Sequence, residues 1–262
     1  MRSRTTIALL AASTLALAAC GGDGGGSDGG SAEGNDLGLV KPGTLTVCAD
    51  VPFPPFAFEK DGEYTGFDME LTEAIATGMG LEHEIKDIGF EGLQSGSALA
   101  AGQCDIGAAA MTITEEREEN IDFSDPYYDS LQSLLVPSDA EFTLDEAKGK
   151  VIAVKQGTTG ADYAQEHAPE GTKIQAYPSN TELYPALKSG TVDAVMMDLP
   201  SNIEHQEDGK FTVSEKFDTG EQYGMPVKEE GAEKLLEAVN EQLAALKDDG
   251  TYDTLYAKYF SE

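Results

Sequence analysis

Arg117 follows Thr112 by five residues, in the run Thr112-Ile113-Thr114-Glu115-Glu116-Arg117. A planar guanidinium can hold a carboxylate through two parallel hydrogen bonds, and Thr112 adds a hydroxyl and a main-chain N–H beside it. The same arginine, flanked by Glu115, Glu116, Glu118 and Glu119, could instead only neutralise an acidic helix face. Gln156-Gly157-Thr158-Thr159-Gly160 forms a loop that opens a helix, where N–H groups and the helix dipole favour an anion. Such loops are common and by themselves decide little. Asp198 closes a predicted strand just before Leu199-Pro200, where it could serve as a helix N-cap, although Pro200 already suits an early helical position. Donors for an anion and an acid for a cation are what a zwitterion requires. Catalysis has less support: no zinc-like His/Cys cluster and no nucleophile motif occurs, and the spacing of His83, His167 and His205 suggests no partner for any of them.

Apolar periodicity and turn signals supply two similar blocks to carry these groups. In the first, strands are predicted at 44–50, 83–88 and 106–111. A helix at 68–79 has Leu71, Ile75 and Met79 on one face with Gly80 beyond it, and a second at 90–101 is stopped by Gly102. The second block opens on a capping box, Thr143-Leu144-Asp145-Glu146. It continues with strands at 151–155, 173–177 and 194–198 and helices at 160–167 and 180–188. Two βαβαβ blocks predict an α/β chain with two parallel or mixed sheets covered by helices. A helix at 232–247, with Leu236, Val239, Leu243 and Leu246 on one stripe, packs back onto one of them.

At the N-terminus, Arg2 and Arg4 precede an uncharged run from Thr5 to Ala19 that ends at Cys20, the pattern of a secretory signal and too short for a comfortable membrane span. Residues 21–36, GGDGGGSDGGSAEGND, hold too little apolar surface to fold and are expected to form a flexible tether. About 225 residues remain from Leu37, enough for one large domain or two ordinary ones. The formal net charge is −31, and removal of Arg2 and Arg4 takes it to about −33. That charge argues against nucleic acid or an anionic lipid surface as a partner. Beyond Cys20 the cysteines are Cys48 and Cys104, both at the edges of predicted strands. In an exported, oxidising setting a bridge is expected, with two buried free thiols as the alternative.

The segments FPPFAF (53–58), GFDMEL (66–71), 104–129, KQGTTGADYA (155–164), TVDAVMMDLP (191–200), EQYGMPV (221–227) and DGTYDTLYAKYF (249–260), in this order, resemble extracytoplasmic amino-acid-binding proteins that feed ABC importers. The resemblance runs from Gly43 to Phe260. Leu17-Ala18-Ala19-Cys20 also resembles the lipobox of bacterial lipoproteins, which implies lipidation at Cys20 and an anchor on the outer face of the cell membrane. The implied fold is the two-lobed periplasmic-binding-protein fold of type II, joined by hinge strands at 127–131 and 221–225. Its parts would be a signal peptide at 1–19, an anchored linker at 20–36, one lobe at 37–128 plus 225–262 and the other at 129–224. The implied partners are a free amino acid and a membrane permease, with no cofactor or metal and a monomeric receptor. A sensory receptor signalling to a kinase and a dehydratase are the alternatives the same fold allows.

The resemblance also implies roles for particular residues. Arg117, Thr112 and the Thr159 N–H would hold the ligand carboxylate, Asp198 its ammonium, and Ala110 and Thr158 would complete this end. Asp50, Phe53, Phe90, Lys155 and Met197 match positions that contact the ligand side chain in glutamine-binding relatives. Asp50 would accept from an amide, Lys155 would donate to its carbonyl, and the two rings would enclose the aliphatic part or belong to the core. Met197 departs from a histidine of those relatives, and Lys155 argues against arginine or ornithine. Glutamine is therefore the expected ligand, with glutamate or another polar amino acid as the alternative.

Overall fold

The strand Thr44–Ala49 (β1) is buried at every position, as expected of a strand covered on both faces. The computed structural model describes residues 37–140, 142–206 and 209–260. The expected signal 1–19, Cys20 and the tether 21–36 lie outside the described residues. After β1 come a hairpin of Phe58–Lys60 (β2) and Glu63–Thr65 (β3), helix Phe67–Gly78 (α1), strand Glu82–Asp87 (β4), helices Phe90–Gln94 (α2) and Ser97–Ala100 (α3), strand Ile106–Gly107 (β5), helix Glu115–Glu118 (α4) and strand Ile121–Phe123 (β6). There follow Tyr128–Pro137 (β7), Val151–Lys155 (β8), Thr159–His167 (α5), Lys173–Tyr177 (β9), Asn180–Lys188 (α6), Ala194–Asp198 (β10), Leu199–Glu204 (α7) and Phe211–Tyr223 (β11). The chain ends with Pro226–Lys228 (β12), Glu233–Asp248 (α8) and Thr251–Phe260 (α9).

Two five-stranded sheets result, in the orders β4-β1-β5-β12-β6 and β11-β7-β10-β8-β9. Both are mixed. The βαβ pairs β1/β4, β1/β5, β8/β9 and β8/β10 are parallel, whereas β12 and β6 in one sheet and β7 and β11 in the other run antiparallel to their neighbours. The two-lobed α/β fold is thus built of mixed sheets.

Local chemistry changed three expectations. The helix expected at 90–101 is two short helices, because Gly96 has φ 71° and a Cβ there would meet Ile121 Cγ2 at 2.7 Å. The strand expected at 106–111 leaves its sheet after Gly107, since Ala110 adopts φ 46° and turns the chain away from the ladder. On α8 the buried stripe is Leu235, Val239, Leu243 and Leu246, so Leu235 takes the deep place expected of Leu236. The capping box is present, at the head of a short 3-10 turn, Leu144–Glu146. A disulfide joins Cys48 to Cys104, with Cα atoms 5.7 Å apart, and ties β1 to the segment entering β5.

The chain passes between the sheets twice, from β6 to β7 and from β11 to β12, and β11 pairs with β7 at these crossings (Tyr223 opposite Tyr128, Glu221 opposite Ser130). Aromatic rings cover the crossings. Tyr128 stacks on Tyr223 at 5.4 Å between centroids, Phe56 meets both, and Phe260 of α9 lies 4.8 Å from Tyr128. Beside them sits Asp68 of α1, fully buried. It accepts the Ala110 N–H at 2.8 Å and the Tyr127 hydroxyl at 2.9 Å, fixing the turned segment to the start of a crossing strand. Burial pushes its carboxyl up to about 7 against the pull of those two donors.

Asp68→Asn keeps the shape but turns an NH₂ group toward a donor, leaving one buried polar group unpaired. The expected loss is about 1–3 kcal/mol, or a fall in Tm of about 2–12 °C for a domain of this size. An unchanged unfolding midpoint would show that the two bonds to Asp68 add nothing.

Candidate functional site

The N–H groups of Ala108 and Ile88 donate to Cys48 and Ala49 carbonyls at 2.8 Å, holding the strand ends where the first sheet stops and side chains project beyond it. From that edge comes the run 109–112, and Thr114 caps α4 by accepting the Arg117 N–H at 3.2 Å, which fixes the arginine's direction. The second sheet contributes the ends of β8 and β10 and the loop before α5. Between them lies a narrow cleft, whose empty space of about 300 Å³ runs out into open solvent. Every expected ligand position except Asp50 lines it, and Ala109 joins them.

Arg117 is buried, and its guanidinium makes its hydrogen bonds to carbonyls: Nη1 to Thr112 O at 2.6 Å and Nη2 to Gly157 O at 3.0 Å. Among the described residues no carboxylate stands within ion-pair distance of it, although four glutamates flank it in sequence. Burial lowers its pKa, which Asp198 and Glu221 partly offset through the field they supply. The guanidinium also lies 5.4 Å from the centre of the Phe90 ring. A desolvated cation of this kind is suited to an incoming anion.

Asp198 stands at the N-cap position of α7, yet its side chain makes no capping bond. It accepts instead from Gln132 Nε2, and burial, with Glu221 nearby, raises its carboxyl pKa to about 7. Thr158 spends its hydroxyl on the fold, accepting the Ala161 N–H at 3.2 Å as the N-cap of α5 and donating to Lys155 O at 2.9 Å. Thr159 heads that helix, where first-turn N–H groups lack intrahelical partners.

At the other end Lys155 Nζ donates to Asp50 Oδ2, so the acid and the cation expected at a ligand side chain are bound to each other. Lys155 also lies 5.2 Å and 5.0 Å from the Phe53 and Phe90 ring centres. Both rings line the cavity and also belong to hydrophobic clusters, so lining the cavity and filling the core are compatible for them. Met197 presents an apolar wall.

Two residues of the neighbourhood escaped the sequence reading. Gln132 of β7 is fully buried and Glu221 of β11 is half-buried. Glu221 Oε2 accepts from Thr112 Oγ1 at 3.0 Å, Gln132 Nε2 at 3.0 Å and Thr159 Oγ1 at 3.1 Å. The signal for Gln132 was available, as a lone amide in an apolar run, Leu131-Gln132-Ser133-Leu134-Leu135. Among the described residues no cluster of side chains suits a metal ion, and no helix is long and apolar enough to cross a membrane.

Comparison with known proteins identifies the family. Residues 45–262 match the bacterial extracellular solute-binding proteins, family 3. The L-cystine-binding protein TcyJ of Escherichia coli (strain K12) is 30% identical over 224 residues, 83% of each chain. The ABC transporter glutamine-binding protein GlnH of Bacillus subtilis (strain 168) is 34% identical over 257 residues, covering 94% of this chain and 92% of its own. Among solved structures, an ancestral arginine-binding protein bound to arginine superposes with a TM-score of 0.78 at 36% identity, covering 84% of this chain and 99% of its own. The chain belongs to the bacterial extracellular solute-binding proteins of family 3.

Proposed function

We propose that this protein is the receptor of an ABC importer for a polar amino acid, glutamine first, and that it closes around the free amino acid. The observation that carries the reading is the cavity in which a buried Arg117, without a carboxylate partner among the described residues, faces Asp198, one group for each end of a zwitterion. The lobes are proposed as 37–128 plus 225–262 and 129–224. Contacts already cross between the two sheets, from Arg117 to Gly157 O and from Lys155 to Asp50. A ligand carboxylate taken by Arg117 and the α5 N-terminus together would favour that closed arrangement, because only there are both sets of donors in reach.

Glutamine is favoured by the Lys155–Asp50 pair. Their charges cancel, which leaves a polar but neutral end for the ligand side chain. The glutamine-binding relative from Bacillus subtilis supports the same choice, while relatives that bind L-cystine and arginine mark the range of ligands the fold accepts. The receptor is further proposed to be a monomer tethered outside the cell through lipid on Cys20, on the strength of Leu17-Ala18-Ala19-Cys20 and the glycine-rich run that follows.

Arg117→Ala is expected to weaken binding of every amino acid ligand by about a hundredfold or beyond detection, since all share the α-carboxylate and a charge-assisted bond in a buried site is lost. Near-normal affinity in calorimetry would remove Arg117 from the site. Cys20→Ser should shift the protein from the membrane to the soluble fraction with its ligand affinity intact; continued membrane association would count against a lipid anchor.

A further inference from the structure

Resting on the reading of the cavity as an amino-acid site, we infer that Glu221 is a specificity-determining residue that joins Asp198 in an acidic seat for the ligand ammonium and turns the receptor away from anionic amino acids. The first support is the direction of the hydroxyls. Thr112 and Thr159 each donate their one hydroxyl proton to Glu221 Oε2 and both line the cavity. A hydroxyl whose proton is so used can offer a ligand only lone pairs. Thr112 is therefore set to accept from an ammonium, and the carboxylate is left to Arg117 and main-chain N–H groups.

The second support is Gln132. Its Nε2 donates to both Asp198 Oδ1 and Glu221 Oε2, so one amide clips the two acids together. Its Oε1 is buried without a partner, a costly arrangement that the pull of two carboxylates on the NH₂ explains. Gly160 makes room for it, because a Cβ there would lie 2.6 Å from Oε1. The third support is the charge balance. With Asp198 ionised, Arg117 and Lys155 face Asp50, Asp198 and Glu221, one negative charge in surplus, and Asp162 and Glu116 add to the negative field at Arg117. A zwitterion leaves that surplus unchanged and a cationic ligand cancels it, whereas glutamate doubles it.

The groups that face Asp198 are Glu221 and Tyr223 from β11, Gln132 and Tyr128 from β7, Lys155 from β8, Tyr184 from α6 and Arg117 from α4. Glu221 is the like charge among them, and together with burial it holds the Asp198 carboxyl at about 7. The ammonium requires Asp198 ionised, so affinity must fall as pH drops through that region. Without Glu221 the repulsion is gone, the Asp198 carboxyl titrates lower, and the fall begins at lower pH.

The test is calorimetric titration of the full chain and its Glu221→Gln variant with glutamine, glutamate and glutaramate, which is glutamine without its ammonium, from about pH 5 to about pH 8. Glu221→Gln should weaken glutamine by about tenfold or more, leave glutaramate no weaker, narrow the preference over glutamate and shift the acid limb of the glutamine profile downward. Glu221→Asp, which keeps the charge, should retain the preference over glutamate. Unchanged or tighter glutamine binding in Glu221→Gln with an unmoved pH profile, or equal losses for glutamine and glutaramate, would overturn the assignment and leave Glu221 as a hinge residue only. Failure of the unaltered protein to bind any amino acid would instead reject the receptor reading itself.

Discussion

Everything at the junction of the two sheets follows from one constraint: charged groups withdrawn from water must find partners there. Arg117, Lys155, Asp50 and Asp198 are all buried, and only Lys155 and Asp50 answer each other directly. Arg117 settles for carbonyls and Asp198 for an amide, which are weaker substitutes for an opposite charge. A site of this kind retains unspent electrostatic capacity, and a zwitterion of matching length is the molecule able to use it. The rest of the architecture can be understood as the means of keeping Arg117 and Asp198 close but not touching.

That means is mostly backbone. β7 and β11 pair across the crossings and bring Gln132 and Glu221 to the same place as Asp198, while Asp68 holds Ala110 in its turned conformation and ties it to Tyr127. The C-terminal α9 lays Tyr252 and Phe260 over the same region, and Tyr252 donates its hydroxyl to Tyr127 O. Lobe closure, as proposed, would turn on two short connections stiffened by rings and hydrogen bonds, so that a small number of ligand contacts could decide between open and closed arrangements.

Much of this could be read before any coordinates. Strands such as β1, β8 and β10 are legible because burial on both faces writes them as short apolar runs, and α1 and α8 because one stripe repeats at the helical period. The break at Gly96 was not legible, since a glycine is tolerated within a helix, as Gly92 is in α2, and only the tertiary neighbours Ile121 and Asn120, which leave no room for a Cβ at Gly96, mark the position as special. The shortness of β5 was hidden for a similar reason: Asp68, which holds the Ala110 turn, stands 42 residues away. Arg117, Thr112 and Asp198 were visible because their types and spacing match a family. Glu221 was not, because its partners Thr112 and Thr159 lie 109 and 62 residues from it and no local pattern joins them.

The most direct measurement of the central claim, that the cavity holds a free amino acid by both of its charged ends, is thermal unfolding in the presence of each proteinogenic amino acid in turn. Any that stabilises is then followed by its decarboxylated and its deaminated counterpart. A ligand at about a hundred times its Kd adds about 2.7 kcal/mol, which for a domain of this size raises Tm by about 5–11 °C. The account predicts such a rise for one or a few polar amino acids, glutamine among them, and little or none for either counterpart. No rise with any amino acid, or an equal rise with a counterpart that lacks one charged end, would contradict it.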